Sequence, residues 1–171
     1  MASELALPQA FIAEMIAHAR EDAPNEACGV VLRLPGGALR LYRATNAEAS
    51  PFRFSIPPAE LHFLYRTIDA CSADLLVIYH SHTETAARPS PTDMKFARMW
   101  ESADPWPYWV VVSLQHSQPD VRAWRIEGEK ATEAGWDVGE PPPGSERLRL
   151  ETVENPQGRP RVTVSEVSLS S

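Results

Sequence analysis

Apolar residues recur along the chain at two spacings, and the elements should change where the spacing changes. Phe11, Ile12, Met15, Ile16 and Ala19 fall three and four apart, the stripe of an amphipathic helix. This predicts a helix over roughly 8–21, with Pro8 in its first turn and the turn residues Asp22 to Glu26 ending it. Two apolar runs, 28–34 and 38–45, then flank Pro35-Gly36-Gly37, which reads as a β-hairpin. A short strand is expected at 52–56. Pro57 or Pro58 opens a second helix, in which Leu61, Leu64, Tyr65 and Ile68 form one stripe. Leu75 to Tyr79 is an unbroken apolar run of strand length, suited to a central strand covered on both faces, and it leads directly into His80-Ser81-His82.

Ser90-Pro91-Thr92-Asp93 starts a third helix, with serine as N-cap, proline at the first helical position and an acid at the third. Trp109 to Leu114 reads as another buried strand, with 121–128 as its neighbour. The alternation of helices and strands indicates an α/β fold, a sheet flanked by helices in a single domain. That domain is expected over 1–138, with a C-terminal extension over 139–171. Residues 139–146 read as a linker, and 147–153 and 161–167 as a β-hairpin around 155–160 or as part of a disordered tail.

Composition changes this picture little. The 171 residues suffice for one well-filled core, and the 43% hydrophobic and 23% charged fractions are ordinary for a globular chain. A net charge of -7 repels phosphate backbones, so nucleic acid is not expected as a partner. Arg147, Arg149, Arg159 and Arg161 cluster late but are diluted by acids, and read as a solvated surface. Two cysteines make no disulfide scaffold, and Cys28 reads as a small buried apolar residue. The N-terminus lacks the pattern of a secretion signal and no apolar run reaches a membrane span, so no membrane association and a cytoplasmic location are expected.

The chemistry concentrates after the central strand. His80 and His82 are two apart, so on a strand they leave the same face and can meet one ion. Asp93, early in the next helix, can fold back to give an oxygen ligand. Three protein ligands leave a position open, as in catalytic zinc sites. Glu26, at the start of the first hairpin, is the candidate base, and Ser90 could donate to the oxygen of a tetrahedral intermediate. Ser90 and Asp93 also suffice simply as a helix start. His18, His62 and His116 have no partners at ligand spacing and read as structural or solvated. Trp106 and Trp109 are candidates for substrate contact.

Glu26, His80-x-His82, Ser90 and Asp93 together resemble the signature of the JAMM (MPN+) metalloprotease family. Pro24 to Gly29 is similar to the family's glutamate segment, and Asn46 with Ser50-Pro51 to the segment after its hairpin. The resemblance covers about residues 8–135 and implies a JAMM/MPN-like (cytidine-deaminase-like) mixed β-sheet flanked by helices. It further implies Zn2+ on His80, His82 and Asp93, Glu26 as acid and base, and Ser90 at the oxyanion. Thr83 stands where deubiquitinating members usually carry proline, and the stretch after Asp93 is short. The chain thus looks more like the bacterial enzymes acting on sulfur-carrier proteins. The activity implied is hydrolysis of the amide bond after the C-terminal glycine of a ubiquitin-like sulfur-carrier protein with a diglycine C-terminus, releasing cysteine. A deubiquitinase-like isopeptidase and a non-catalytic scaffold binding a ubiquitin-like protein remain as alternatives, and a homodimer stays open.

Overall fold

The computed structural model describes residues 3–100, 103 and 105–167. In chain order they form β1 (Leu5–Pro8), α1 (Gln9–Asp22), β2 (Cys28–Arg33), β3 (Leu39–Ala44), α2 (Pro58–Cys71), β4 (Asp74–His82) and α3 (Pro91–Ala97). There follow a 3-10 turn (Arg98–Trp100), β5 (Tyr108–Ser113), β6 (Asp120–Glu127), β7 (Lys130–Ala134), β8 (Trp136–Gly139), β9 (Glu146–Glu154) and β10 (Pro160–Glu166). Eight strands make one mixed sheet in the order β10-β9-β3-β2-β4-β5-β6-β7, and β1 pairs with β8 in a parallel ribbon. This is the flanked α/β sheet expected from the pattern.

The sheet is covered on both faces, which is why its central strands are apolar at nearly every position. Val30, Leu32 and Ile78 turn to the face carrying Leu64 of α2, while Val31, Val77 and Tyr79 turn to the face carrying Phe11 and Met15 of α1. β2 lies antiparallel to β4, with Cys28 opposite His80, and β5 lies parallel to β4 on its other side. Among the described residues no helix is long and apolar enough to cross a membrane.

Several expectations are corrected. Residues 52–56 form no strand: Phe54 and Ile56 are buried, but the Asn46 side chain bonds Arg53 O and Ser55 N where a ladder would have been. Pro8 is the N-cap of α1 rather than part of its first turn, because β1 runs up to it. The hairpin read over 147–153 and 161–167 is present as β9 and β10, but it is no separate extension: β9 also pairs parallel to β3, so the hairpin widens the main sheet. That placement takes Arg147 off the open surface, while Arg149 stays largely exposed at 41% of its side chain. Arg147 Nη1 lies 3.3 Å from Glu14 Oε2 and Arg149 Nη2 3.8 Å from Glu21 Oε2, both acids on α1 and both also paired with the buried Arg43 of β3. Trp109 is buried against Phe96 and has no surface to offer a substrate.

Candidate metal centre

The register of β2 against β4 brings the first acid to the histidines. With Cys28 opposite His80 in an antiparallel pair, two residues earlier on one strand faces two residues later on the other, so Glu26 stands across from His82. All three share a face, since side chains alternate. Asp93 arrives from α3 through a capping box: Ser90 Oγ accepts from Asp93 N at 3.1 Å, and Asp93 Oδ2 accepts from Ser90 N at 2.8 Å. The cap fixes the carboxylate that then meets both imidazoles. One ligand atom from each of Glu26, His80, His82 and Asp93 lies within 4.8 Å of the others, and all four residues are buried.

The donor atoms fit a cation. His80 Nε2 lies 2.9 Å and His82 Nε2 3.1 Å from Asp93 Oδ2, and the two nitrogens are 3.1 Å apart. Ligands bound to zinc at about 2.0–2.1 Å in tetrahedral geometry stand about 3.3 Å from one another, close to this triangle. His82 Nδ1 lies 2.8 Å from Ala86 O, to which its N–H donates, so that once the ring gives up the Nε2 proton it shares with Asp93, Nε2 has a lone pair for a metal. The ring of Phe54 stacks on His80 with centroids 4.8 Å apart, fixing its plane.

Charge in the site is unevenly distributed. Burial opposes ionisation of Asp93, but the charge of His80 and hydrogen bonds from His80, His82 and the Ser90 backbone outweigh it, holding the carboxyl well below the usual carboxylate range. Burial would push His82 down, but its hydrogen bonds to Asp93 and Ala86 raise it overall. Burial pushes Glu26 up to about 8, with the Asp93 carboxylate adding to the rise and His82 opposing it. Glu26 Oε1 is buried with no hydrogen-bond partner among the described residues. A buried carboxyl oxygen without a partner, beside converging imidazoles, is the kind of orphan a metal site or its water would satisfy.

The backbone around Glu26 is pinned on several sides. Its N–H donates to Ser50 O at 2.9 Å, and its carbonyl accepts from Asn46 Nδ2 at 3.0 Å. Ser81 Oγ, between the two histidines, accepts from Ala27 N at 2.7 Å, and Thr83 Oγ1 donates to Pro24 O at 2.8 Å. Sequence reasoning did not single out Phe54, Ser81, Ala86 or the role of Thr83, which act through backbone atoms or a ring face. Ser81 alone was findable, as the polar residue between the two histidines of a buried strand. A cleft of about 370 Å³ opens beside the site, with Glu26, His82 and Ser90 in its lining together with Pro24, Phe52 and Thr83.

Two sequence readings outside the centre are resolved by burial. Cys28 is fully buried, its Sγ 3.4 Å from Thr45 O, and burial pushes the thiol well above its usual range, as a packing residue requires. His18 is structural: its Nδ1 lies 2.8 Å from the buried Tyr79 hydroxyl and its Nε2 3.2 Å from Asp22.

Residues 8–127 match the model of a family described as prokaryotic homologs of the JAB domain. Among characterised relatives, a CysO-cysteine peptidase of Mycobacterium tuberculosis is 39% identical over 130 residues, covering 74% of this chain and 85% of that protein. A probable TtuB-protein conjugate cleaving protease of Thermus thermophilus is 33% identical over 98 residues, 55% of this chain and 64% of that protein. Among solved structures, protein DSY2949 from Desulfitobacterium hafniense superposes with a TM-score of 0.65 at 30% identity, covering 80% of this chain and 93% of the other.

Proposed function

The chain belongs to the family of prokaryotic homologs of the JAB domain, and we propose that it is a zinc-dependent hydrolase. On this reading it cleaves the amide bond after the C-terminal glycine of a ubiquitin-like sulfur-carrier protein and releases cysteine. The observation that carries the reading is the convergence of His80, His82 and Asp93 beside a buried, unpartnered Glu26 oxygen, in a chain similar to a CysO-cysteine peptidase. Zinc on His80, His82 and Asp93 would supply Lewis acidity, polarising the carbonyl and acidifying water.

The chain's own residues do the rest. Glu26, which the positive charge of a bound cation would hold ionised, takes a proton at Oε1 from the attacking water and hands it to the departing amine, so one water adds across the bond and leaves a glycine carboxylate and a free amine. Ser90 Oγ accepts from Asp93 N, which leaves its O–H to donate to the developing oxyanion. The cleft that Phe52 and Thr83 line beside Glu26 suits an extended diglycine tail, which has no side chains to clash.

Mass spectrometry of a diglycine carrier bearing one added C-terminal cysteine tests this. The zinc-loaded protein should return the carrier shorter by one cysteine. Glu26→Gln should retain zinc and lose at least about 100-fold in rate, at the lower end of what a proton-transfer residue contributes. Ser90→Ala should lose about 100-fold while retaining metal. An intact adduct after prolonged incubation would sink the reading. Cleavage of a carrier–lysine isopeptide in place of the cysteine adduct would redirect it toward conjugate cleavage, the activity in the Thermus relative's name.

A further inference from the structure

The hairpin of β9 and β10 lies beyond the stretch that matches the family, yet it is wired to the segment holding Glu26. The link runs through Glu60, in the first turn of α2, which is 0% exposed. A carboxyl taken wholly out of water needs partners. Its Oε1 accepts from Thr45 N at 2.8 Å, and its Oε2 accepts from the Thr152 hydroxyl of β9 at 2.5 Å. Thr45 is the root of the loop that holds Glu26. The next residue, Asn46, donates to Glu26 O and Arg53 O, while its Oδ1 accepts from Glu48 N and Ser55 N. Ser50, further along, accepts from Glu26 N. Both peptide groups flanking the Glu26 side chain are therefore bonded to one loop, and the entry of that loop is bonded to Glu60. Packing runs in parallel: Leu150, two residues before Thr152, belongs to the same apolar cluster as Phe54, the ring stacked on His80.

We propose that the C-terminal hairpin is a working part of the site, with Thr152 and Glu60 as positioning residues that fix Glu26 through the Thr45–Ser50 loop. Without the Thr152 hydroxyl, Glu60 Oε2 is left buried and unpartnered, and the carboxyl must shift toward another partner. That shift weakens its hold on Thr45 N and lets the loop, and with it the Glu26 backbone, move. The inference rests on Glu26 being the proton carrier, so its test includes a readout that needs no turnover.

The full-length, zinc-loaded protein is compared with Thr152→Val and Thr152→Ser by amide hydrogen exchange and by steady-state cleavage of the carrier–cysteine adduct. Thr152→Val should speed exchange at the Glu26 amide about ten-fold while amides of β4, such as Val77, stay as they were. Its kcat should fall about ten-fold with KM nearly unchanged, and Thr152→Ser, which keeps the hydroxyl, should restore both. Unchanged Glu26 exchange and kcat in Thr152→Val would overturn the proposal. So would a uniform rise in exchange across β2 and β4, which marks plain destabilisation. If the wild type cleaves nothing while Glu26 exchange still responds, the positioning relay stands and the hydrolase reading falls. If cleavage is normal and exchange at Glu26 is silent to Thr152→Val, the reverse holds.

Discussion

Glu26 and Asp93 are two buried carboxyls in one site, driven in opposite directions by what surrounds them. Asp93 receives hydrogen bonds from two rings and a backbone amide, whereas Glu26 Oε1 receives none. Separation of this kind divides labour, one group staying an anion to hold charge and the other able to carry a proton. It has a consequence for the metal-free chain. Folding raises the Glu26 carboxyl from 4.5 to about 8, so between those values the unfolded chain releases a proton that the folded chain keeps. The folded-state contribution is complete below about 4.5 and is lost as pH rises toward 8, by up to about 1.4 kcal/mol per pH unit. Urea denaturation of the metal-stripped protein across that window should show stability falling, and Glu26→Gln, which cannot ionise, should show a flatter profile. Parallel profiles would mean that Glu26 is not held protonated.

Elements place these groups through close packing, and Gly29 shows how tightly. A Cβ there would lie 2.4 Å from Tyr42 O on β3 and 2.4 Å from the Tyr79 ring on β4. Gly29→Ala must therefore push β2 away from a neighbour, at a cost of about 3 kcal/mol or more, visible as a lowered denaturation midpoint. The helices and central strands were legible in the sequence because their apolar periods are strong, and the candidate metal ligands because His80-Ser81-His82 ends an apolar run and Ser90-Pro91-Thr92-Asp93 opens a helix. What escaped was structure made by single side chains bonding backbone. Residues 52–56 alternate like a strand, but Asn46 takes the place of a partner strand, and no local period signals that. β1, β7 and β8 escaped because they are short or weakly apolar; β1 and β8 pair across the length of the chain, while β7 folds back on β6 through the Gly128-Glu129 turn.

At the scale of the whole molecule, charge and packing bind the last strands to the first helix. Arg147 and Arg149 read as surface because sequence neighbours dilute them, whereas the acids that pair with them, Glu14 and Glu21, lie on α1. Leu150 is 2% exposed within the cluster beneath the site, so Leu150→Ala should cost about 2–4 kcal/mol in a single cooperative unfolding transition. Separate melting of the hairpin would show that it folds as an independent unit. The account as a whole stands on one cation held by two imidazoles and a carboxylate at the end of β4. Anomalous scattering at the zinc edge, from crystals grown with zinc, locates that ion directly. The account predicts one peak about 2.0–2.1 Å from His80 Nε2, His82 Nε2 and Asp93 Oδ2, with Glu26 beside it but not among the three ligands. A peak elsewhere, or none with the three side chains turned apart, would contradict it.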